Sequence, residues 1–483
     1  MKSKHPTCDS KMTYSECELT ILRSAVDKAD EQKGKRIVNS PEVQRMIQIV
    51  EKFLQKKELI CYGGTAINAL LPKQAQFYNK ETDLADYDFF STNPVEDSKE
   101  LADIFSKNGF DEVEAKSGQH HGTYKVFVNF IGMADITYLH KDIYKELKKD
   151  AKKVDGIYYC PPNYLRMSMY LELSRPEGDV GRWEKVLKRL TLLNKYHPLN
   201  ITECKAVEFQ RALSKQHEYT EDESEKIYNT VRKTLIQEDV VFFGGFAISS
   251  YLDYMPASTR RKLQKIPDFD VFSESAETTA RIVYERLKDK GVKGAKVVKK
   301  ECVGEVISAH YQVIVGNNDT VAFIYEPMAC HSYNKVRINN LSVKIATIDT
   351  MLSMYLAFLF SGRKYYDLNR LLCMANFLYK VQERNRLHQK GVLTRFSINC
   401  YGYQETIEDM RSEKMKMFEK LKSDRGSKEY EEWFLKYRPG DKVNTKKTQK
   451  TQKTQKTKTK TKTKTKKLKT KKTKTKKKQK NKK

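Results

Sequence analysis

One motif is written twice in this chain, and the repetition leaves few architectures open to it. Ile60-Cys61-Tyr62-Gly63-Gly64-Thr65-Ala66 leads to Asp86-Tyr87-Asp88-Phe89-Phe90, and Val240-Val241-Phe242-Phe243-Gly244-Gly245-Phe246-Ala247-Ile248 leads to Asp268-Phe269-Asp270-Val271-Phe272. Gly64 precedes Asp86 by 22 positions and Gly245 precedes Asp268 by 23. A match of composition, order and spacing points to one domain duplicated. The 483 residues leave room for two or three domains of ordinary size, each with its own core.

In the first copy the residues read as a phosphate and metal site. The apolar run before Gly63 predicts a buried strand, and the paired glycines allow a turn at which backbone N–H groups meet an anion. Ala66 to Leu71 then opens a short helix whose positive end faces the same point. Asp86 and Asp88 lie two apart in a strand-like run, so their carboxylates share one face, an arrangement that is unfavourable unless a divalent cation lies between them. Asp135, on the strand-like segment Tyr124 to Tyr138, supplies a third acid. Three acids converging beside a glycine turn suit two Mg²⁺ (or Mn²⁺) ions holding a nucleoside triphosphate and an attacking hydroxyl. A glycine pair alone is usually only a turn and an Asp-x-Asp alone is often a solvated edge strand. Their order and their recurrence set this case apart.

Along the chain, Tyr14 to Gln32 and Pro41 to Lys57 carry helical spacing, and Ser40-Pro41 supplies an N-cap with proline at the first helical position. Asn93-Pro94 opens a helix to about Lys107. Phe110 to Lys116, Thr123 to Phe130 and Met133 to Tyr138 follow as strands, and the chain is read as helical from Lys141 to His197 with a break at Pro161-Pro162. In the second copy Glu221 to Glu238, Ser275 to Lys290, Ile345 to Phe360 and Tyr365 to Lys380 are read as helices, and Ala295 to Tyr325 as strands. The repeat extends further, since Asn163 to Leu171 resembles Ile348 to Leu356. The expected class is α+β (mixed α/β): tandem units, each a mixed sheet with helices packed on one side, plus helical segments.

The copies differ in chemistry. Laying Ala134-Asp135-Ile136 on Ala322-Phe323-Ile324 puts Phe323 where the third acid belongs, with Asp319 and Glu326 the nearest substitutes. Asp319 lies in a turn-forming cluster and Glu326 falls on the opposite side of the strand, so the second copy is expected to be a scaffold. In the first copy Arg182, Lys185 and Arg189 recur on one helix face and could support a triphosphate, although such a face is more often merely solvated. His120-His121 is not a ligand pair, because adjacent strand residues point to opposite faces.

Net charge is +29, but 22 lysines and one aspartate fall in residues 441–483, so the rest carries only +8. That Lys/Thr/Gln-rich tail has almost nothing to bury and is expected to be disordered; its charge would attract nucleic-acid phosphates without sequence preference. The nine cysteines are scattered with no C-x-x-C, which suggests reduced thiols rather than a disulfide framework. Neither a secretory leader nor a membrane span is expected.

Gly63-Gly64, Asp86-Tyr87-Asp88 and Asp135 resemble the DNA polymerase β-like nucleotidyltransferase superfamily. The tandem arrangement with a degenerate second copy and a lysine-rich tail is similar to the poly(A) polymerase catalytic subunits of giant nucleocytoplasmic DNA viruses, of the mimivirus and more distantly the poxvirus kind. The likeness covers about Met1 to Lys380. It implies an enzyme adding AMP from ATP to mRNA 3′ ends, with Asp86, Asp88 and Asp135 as catalytic metal ligands and Gly63, Gly64 and Thr65 at the nucleotide. That family usually carries Gly-Ser at the turn, so the serine's phosphate contact must pass here to Thr65 or the backbone. The repeat and the shifts in composition divide the chain into an expected catalytic domain (1–200), a degenerate second domain (201–395), a charged helical segment (396–440) and the tail (441–483). RNA and ATP are the implied partners, and a homodimer is suggested by a second copy that keeps its core. The implied location is the viral factory of the host cytoplasm, with packaging into the virion as a further destination. Another RNA or small-acceptor nucleotidyltransferase, or a non-catalytic RNA-binding protein on this fold, stays open.

Overall fold

The duplication is visible strand by strand. The computed structural model describes residues 8, 9, 11–79, 83, 84, 86–199, 204, 219–254, 268–316, 318–338 and 340–440. Strands of the first copy are β1 (Ile60–Cys61), β2 (Tyr87–Ser91), β3 (Val113–Ser117), β4 (Thr123–Val128), β5 (Ile131–Tyr138), β6 (Lys152–Val154) and β7 (Ile157–Tyr159). The second copy holds β8 (Val241–Phe242), β9 (Phe269–Phe272), β10 (Lys296–Lys300), β11 (His310–Val315), β12 (Asp319–Tyr325), β13 (His331–Ile338), β14 (Leu341–Ala346) and β15 (Cys400–Tyr401); β16 (Lys436–Tyr437) follows. The sheets run β16-β3-β4-β5-β2-β1-β7-β6 and β10-β11-β12-β9-β8-β14-β13-β15. With the added edge strands β16 and β15 set aside, the two orders coincide, and so do the pairings. β2 is parallel to β5 as β9 is to β12, and β1 is antiparallel to β2 as β8 is to β9. The irregularity between Val126 and Phe127 recurs between Val313 and Ile314.

Alternation along β2 explains how each sheet is covered. Phe89 points to the helix Pro41–Lys57, its ring 6.3 Å from that of Phe53, and the Tyr87 hydroxyl donates to Glu51 at 2.7 Å on the same side. Phe90 points the other way, stacking on Tyr62 at 4.0 Å and meeting Tyr164 of the helix Pro162–Leu173 at 5.8 Å. Helices therefore cover both faces, not one. The second face is where the copies meet, since Tyr164 lies 5.2 Å from Phe360. The helices Pro162–Leu173 and Ile348–Phe358, the pair matched by sequence, pack against each other there.

Several other expectations are corrected. The segment read as helical after Lys141 contains the hairpin β6–β7, which sets β7 beside β1. Its counterpart β13–β14 occupies residues before a helix that begins at Ile348 rather than Ile345. Ser40 sits at its N-cap position without a side-chain hydrogen bond. Three cysteine pairs are joined, Cys8–Cys17, Cys204–Cys373 and Cys330–Cys400, while Cys61, Cys160 and Cys302 are free. Partners 70 and 169 residues apart carry no spacing signal.

The charged segment after the second copy returns to the first. Helices Ile407–Leu421 and Lys428–Phe434 lead to β16, which pairs with β3. Tyr124 donates to the Glu432 carbonyl at 2.7 Å and Tyr437 to Asp103 at 2.6 Å. Among the described residues no helix is long and apolar enough to cross a membrane. The lysine-rich tail lies outside the described residues.

Candidate active site

The glycine bend is shaped by what presses on it. The short helix starts at Gly63, not Ala66, directly after β1. Gly63 has φ +69°, and a Cβ there would lie 2.7 Å from Oδ2 of Asp88. The left-handed conformation and the close carboxylate both call for glycine. A Cβ on Gly64 would lie 2.4 Å from the Tyr78 hydroxyl and 2.9 Å from the Arg189 guanidinium. Arg189 in turn donates to Tyr78 at 2.9 Å and stacks over Phe77 at 4.8 Å. The backbone amide of Tyr62 donates to the Asp88 carbonyl at 2.9 Å, tying the bend to the acid-bearing strand.

The three predicted acids are brought together. Asp88 on β2 is the register partner of Asp135 on β5, and adjacent strands lie about 4.8 Å apart. Asp86 precedes β2 and is exposed, while Asp88 and Asp135 are half-buried. Burial, then the charges of Asp86 and Asp135, push Asp88 up to about 7, with Lys125 and Arg182 opposing. Asp86, exposed as a residue but with its carboxyl partly shielded from water by the protein around it, is also raised, by that shielding and then by Asp135, against Lys125 and Lys185. Thr65 spends its hydroxyl proton on the Asp86 carbonyl at 2.5 Å, which fastens the loop that delivers Asp86.

Residues that the sequence reading passed over complete the surroundings. Lys125 on β4 faces Asp135 across the register and forms an ion pair with it. The Tyr62 hydroxyl meets Thr137 at 2.9 Å, and Thr137 meets Thr123 at 3.1 Å. Lys125 could have been found once β4 and β5 were paired; Tyr62 and Tyr78 carry no sequence signal of this role. The basic helix face expected at Arg182, Lys185 and Arg189 does turn toward the acids, through their charges on Asp88 and Asp86 and the approach of Arg189 to the bend. The His121 ring lies 4.1 Å from that of Trp433.

In the second copy the equivalent place is closed. Phe323 is the register partner of Asp270, in the position that Asp135 holds opposite Asp88. Asp268 and Asp270 are buried, and a Cβ on Gly244 would lie 2.1 Å from Oδ2 of Asp270. Where the first copy carries Tyr62, Thr137 and Thr123, the second carries Phe243, Tyr325 and His310, with ring separations of 5.4 and 4.5 Å. Asp319 begins β12, four residues from Phe323 and so roughly 13 Å along the strand, and Glu326 lies beyond its end.

The segment that carries the first site, residues 48–179, matches the family model of the poly(A) polymerase catalytic subunit. The resemblance read from the sequence is borne out over this stretch. Individual relatives narrow it. A protein of African swine fever virus provisionally named poly(A) polymerase catalytic subunit is 32% identical over 179 residues, 36% of this chain and 37% of that relative. One of the same provisional name from Acanthamoeba polyphaga mimivirus is 32% identical over 184 residues, 37% of this chain and 30% of the relative. The alignments thus span 37% and 30% of these two relatives. The fold extends further: the crystal structure of the Megavirus polyadenylate synthase matches with a TM-score of 0.72 over 90% of this chain and 88% of that one, at 20% identity.

Proposed function

We propose that the chain is a template-independent polynucleotide adenylyltransferase, adding AMP from ATP to RNA 3′ ends, with residues 1–200 catalytic and 201–395 supporting. The observation that carries this reading is the register pairing of Asp88 with Asp135, beside Asp86 and the glycine bend. The donor set fits divalent cations: besides burial, Asp86 and Asp135 raise the proton affinity of Asp88 and Asp135 raises that of Asp86, and an added positive charge relieves them. Asp86, Asp88 and Asp135 would hold Mg²⁺ or Mn²⁺. Such ions supply Lewis-acid charge that favours attack of the acceptor hydroxyl on the α-phosphate and departure of pyrophosphate. Gly63 and Gly64 let backbone amides approach the phosphates, and Arg189, Lys185 and Arg182 lend positive charge nearby. Thr65 acts by holding the Asp86 loop rather than by donating to phosphate.

Incubation with a short labelled RNA, Mg²⁺ or Mn²⁺, and each NTP singly tests the reading. An ATP-selective ladder supports it. One or a few additions would make the chain a tRNA-type or small-acceptor transferase, and binding without extension would make it a non-catalytic RNA-binding protein.

A further inference from the structure

The edge of the second sheet brings two sulfurs to the seam between the copies. β15 contributes only Cys400 and Tyr401, which pair with Ser332 and His331 of β13, so the ladder alone holds residue 400 weakly. Cys330 directly precedes β13 and, by the alternation of a strand, lies on the same face as Ser332 and its partner Cys400. The Cα atoms of the two cysteines are 5.3 Å apart. From the first copy, the turn after the helix Pro162–Leu173 reaches the same point. The Ser332 amide donates to the Ser174 carbonyl at 2.9 Å, and Glu177 follows in that turn. A carboxylate oxygen of Glu177 and the sulfurs of Cys330 and Cys400 all lie within 4.8 Å of one another.

These donors differ in kind from the acids of the first sheet. Carboxylates alone suit Mg²⁺ or Mn²⁺, whereas two thiolates with one carboxylate suit a softer ion, Zn²⁺ foremost. Bonds of about 2.3 Å to sulfur and about 2.1 Å to oxygen let the donors of one ion lie at most roughly 4.4 Å apart, so small rotamer changes bring this set to bonding distance. Cys330 is buried, Cys400 half-buried and Glu177 exposed. The site thus has a sheltered floor of sulfur and an open side by which an ion enters, and a water can take the fourth tetrahedral position there.

The sulfurs are joined in the structure, and ligation needs them apart. A dithiol reductant supplies two electrons and two protons, becomes a disulfide itself and leaves two thiols; the incoming ion then displaces both thiol protons. We propose that the reduced pair Cys330 and Cys400, with the carboxylate of Glu177, forms a Zn²⁺ site that bridges the two copies. The ion takes over the tie to β15 when the disulfide opens, and it adds a tie to the first copy that the disulfide lacks. The turn it holds leads into the helix Trp183–Tyr196, which carries Lys185 and Arg189 toward the acids. The site is independent of the nucleotidyl-transfer reading and survives its failure.

In the test the full chain is reduced with a dithiol, freed of it and of metal under inert gas, and titrated with Co²⁺, whose thiolate complexes absorb strongly through sulfur-to-metal charge transfer. A single Co²⁺ per chain should develop that band, Zn²⁺ should displace it, and the chain with its disulfides closed should show none. Asp86→Ala/Asp88→Ala and Cys8→Ser/Cys17→Ser should both keep the band, which separates this site from the carboxylates and from the other pair of neighbouring cysteines. Cys400→Ser should abolish it. Glu177→Gln, a change at an exposed side chain that leaves the fold intact, should weaken Zn²⁺ at least about tenfold and cancel the rise in melting temperature that Zn²⁺ gives the reduced parent. A chain that shows no thiolate band, or one unaltered in Cys400→Ser, overturns the proposal. Zn²⁺ held at full affinity by Glu177→Gln would leave a sulfur site on the second copy alone and overturn the bridge.

Discussion

The two copies share strand order, pairing and even the position of a bulge, yet their equivalent acid positions are opposites. In the first, Asp88 faces Asp135 and the group is open enough for Asp86 to be exposed. In the second, Asp270 faces Phe323, and Asp268 and Asp270 are 3% and 7% exposed. A hydroxyl chain in one has become an aromatic stack in the other. The lesson is that buried apolar positions keep a topology, whereas chemistry depends on a few residues and on the solvent access around them.

The widest split should come from the acids themselves. Asp86→Ala with Asp88→Ala should lower RNA extension by at least about 10³-fold, the scale of losing a group that stabilises developing charge. Asp268→Ala with Asp270→Ala should leave most extension and lower thermal stability instead. Comparable loss of extension from both pairs, measured at a temperature where each is folded, breaks the asymmetry.

The glycines sharpen the same contrast. Gly63→Ala meets a positive φ and Asp88 at 2.7 Å, so it should displace a half-buried acid and reduce extension about tenfold or more with a modest change in melting temperature. Gly244→Ala meets Asp270 at 2.1 Å inside a closed core, where overpacking should cost about 1–3 kcal/mol of stability and little activity. Denaturant melts beside extension rates separate the two.

How much of this was legible follows from the range of each interaction. The repeat, the three acids and the capped helix Glu221–Gln237 are local or periodic features, and sequence carries them. The hairpin β6–β7 is not, because its strands are three residues long and Lys152 and Lys153 dilute the apolar signal, although β7 packs beside the central β1. Nor does sequence show the return of residues 407–437 to the first sheet or the joining of Cys204 with Cys373, since both depend on how distant segments meet. Phe323 could be placed opposite Asp270 from the alignment alone. That His310 and Tyr325 fill the space beside it required the fold.

A smaller effect lies in the pH dependence of the metal-free protein. Asp88 is raised to about 7 by burial and by its two neighbouring acids. A carboxyl whose folded pKa is raised contributes stability that is fully present below its unfolded pKa and is lost as pH rises through the folded value. Between about pH 4 and 7.5 the melting temperature of the metal-free chain should therefore fall relative to Asp88→Asn, and Mg²⁺ should restore it above pH 7. A difference that does not change with pH would mean that the acids do not crowd one another.

Lys125 offers the finest distinction, because the residue in its register position in the second copy is Gln312, opposite Phe323. Acid and cation differ together between the copies. The ion pair of Lys125 with Asp135 is partly exposed, so Lys125→Gln should change stability by less than about 1 kcal/mol. Its charge nevertheless holds Asp86 and Asp88 down. Removing it should move the pH midpoint of metal-dependent stabilisation upward, by under about one unit. An unmoved midpoint would mean that Lys125 does not act on the acids, and that Gln312 records drift in the second copy rather than loss of a functional charge.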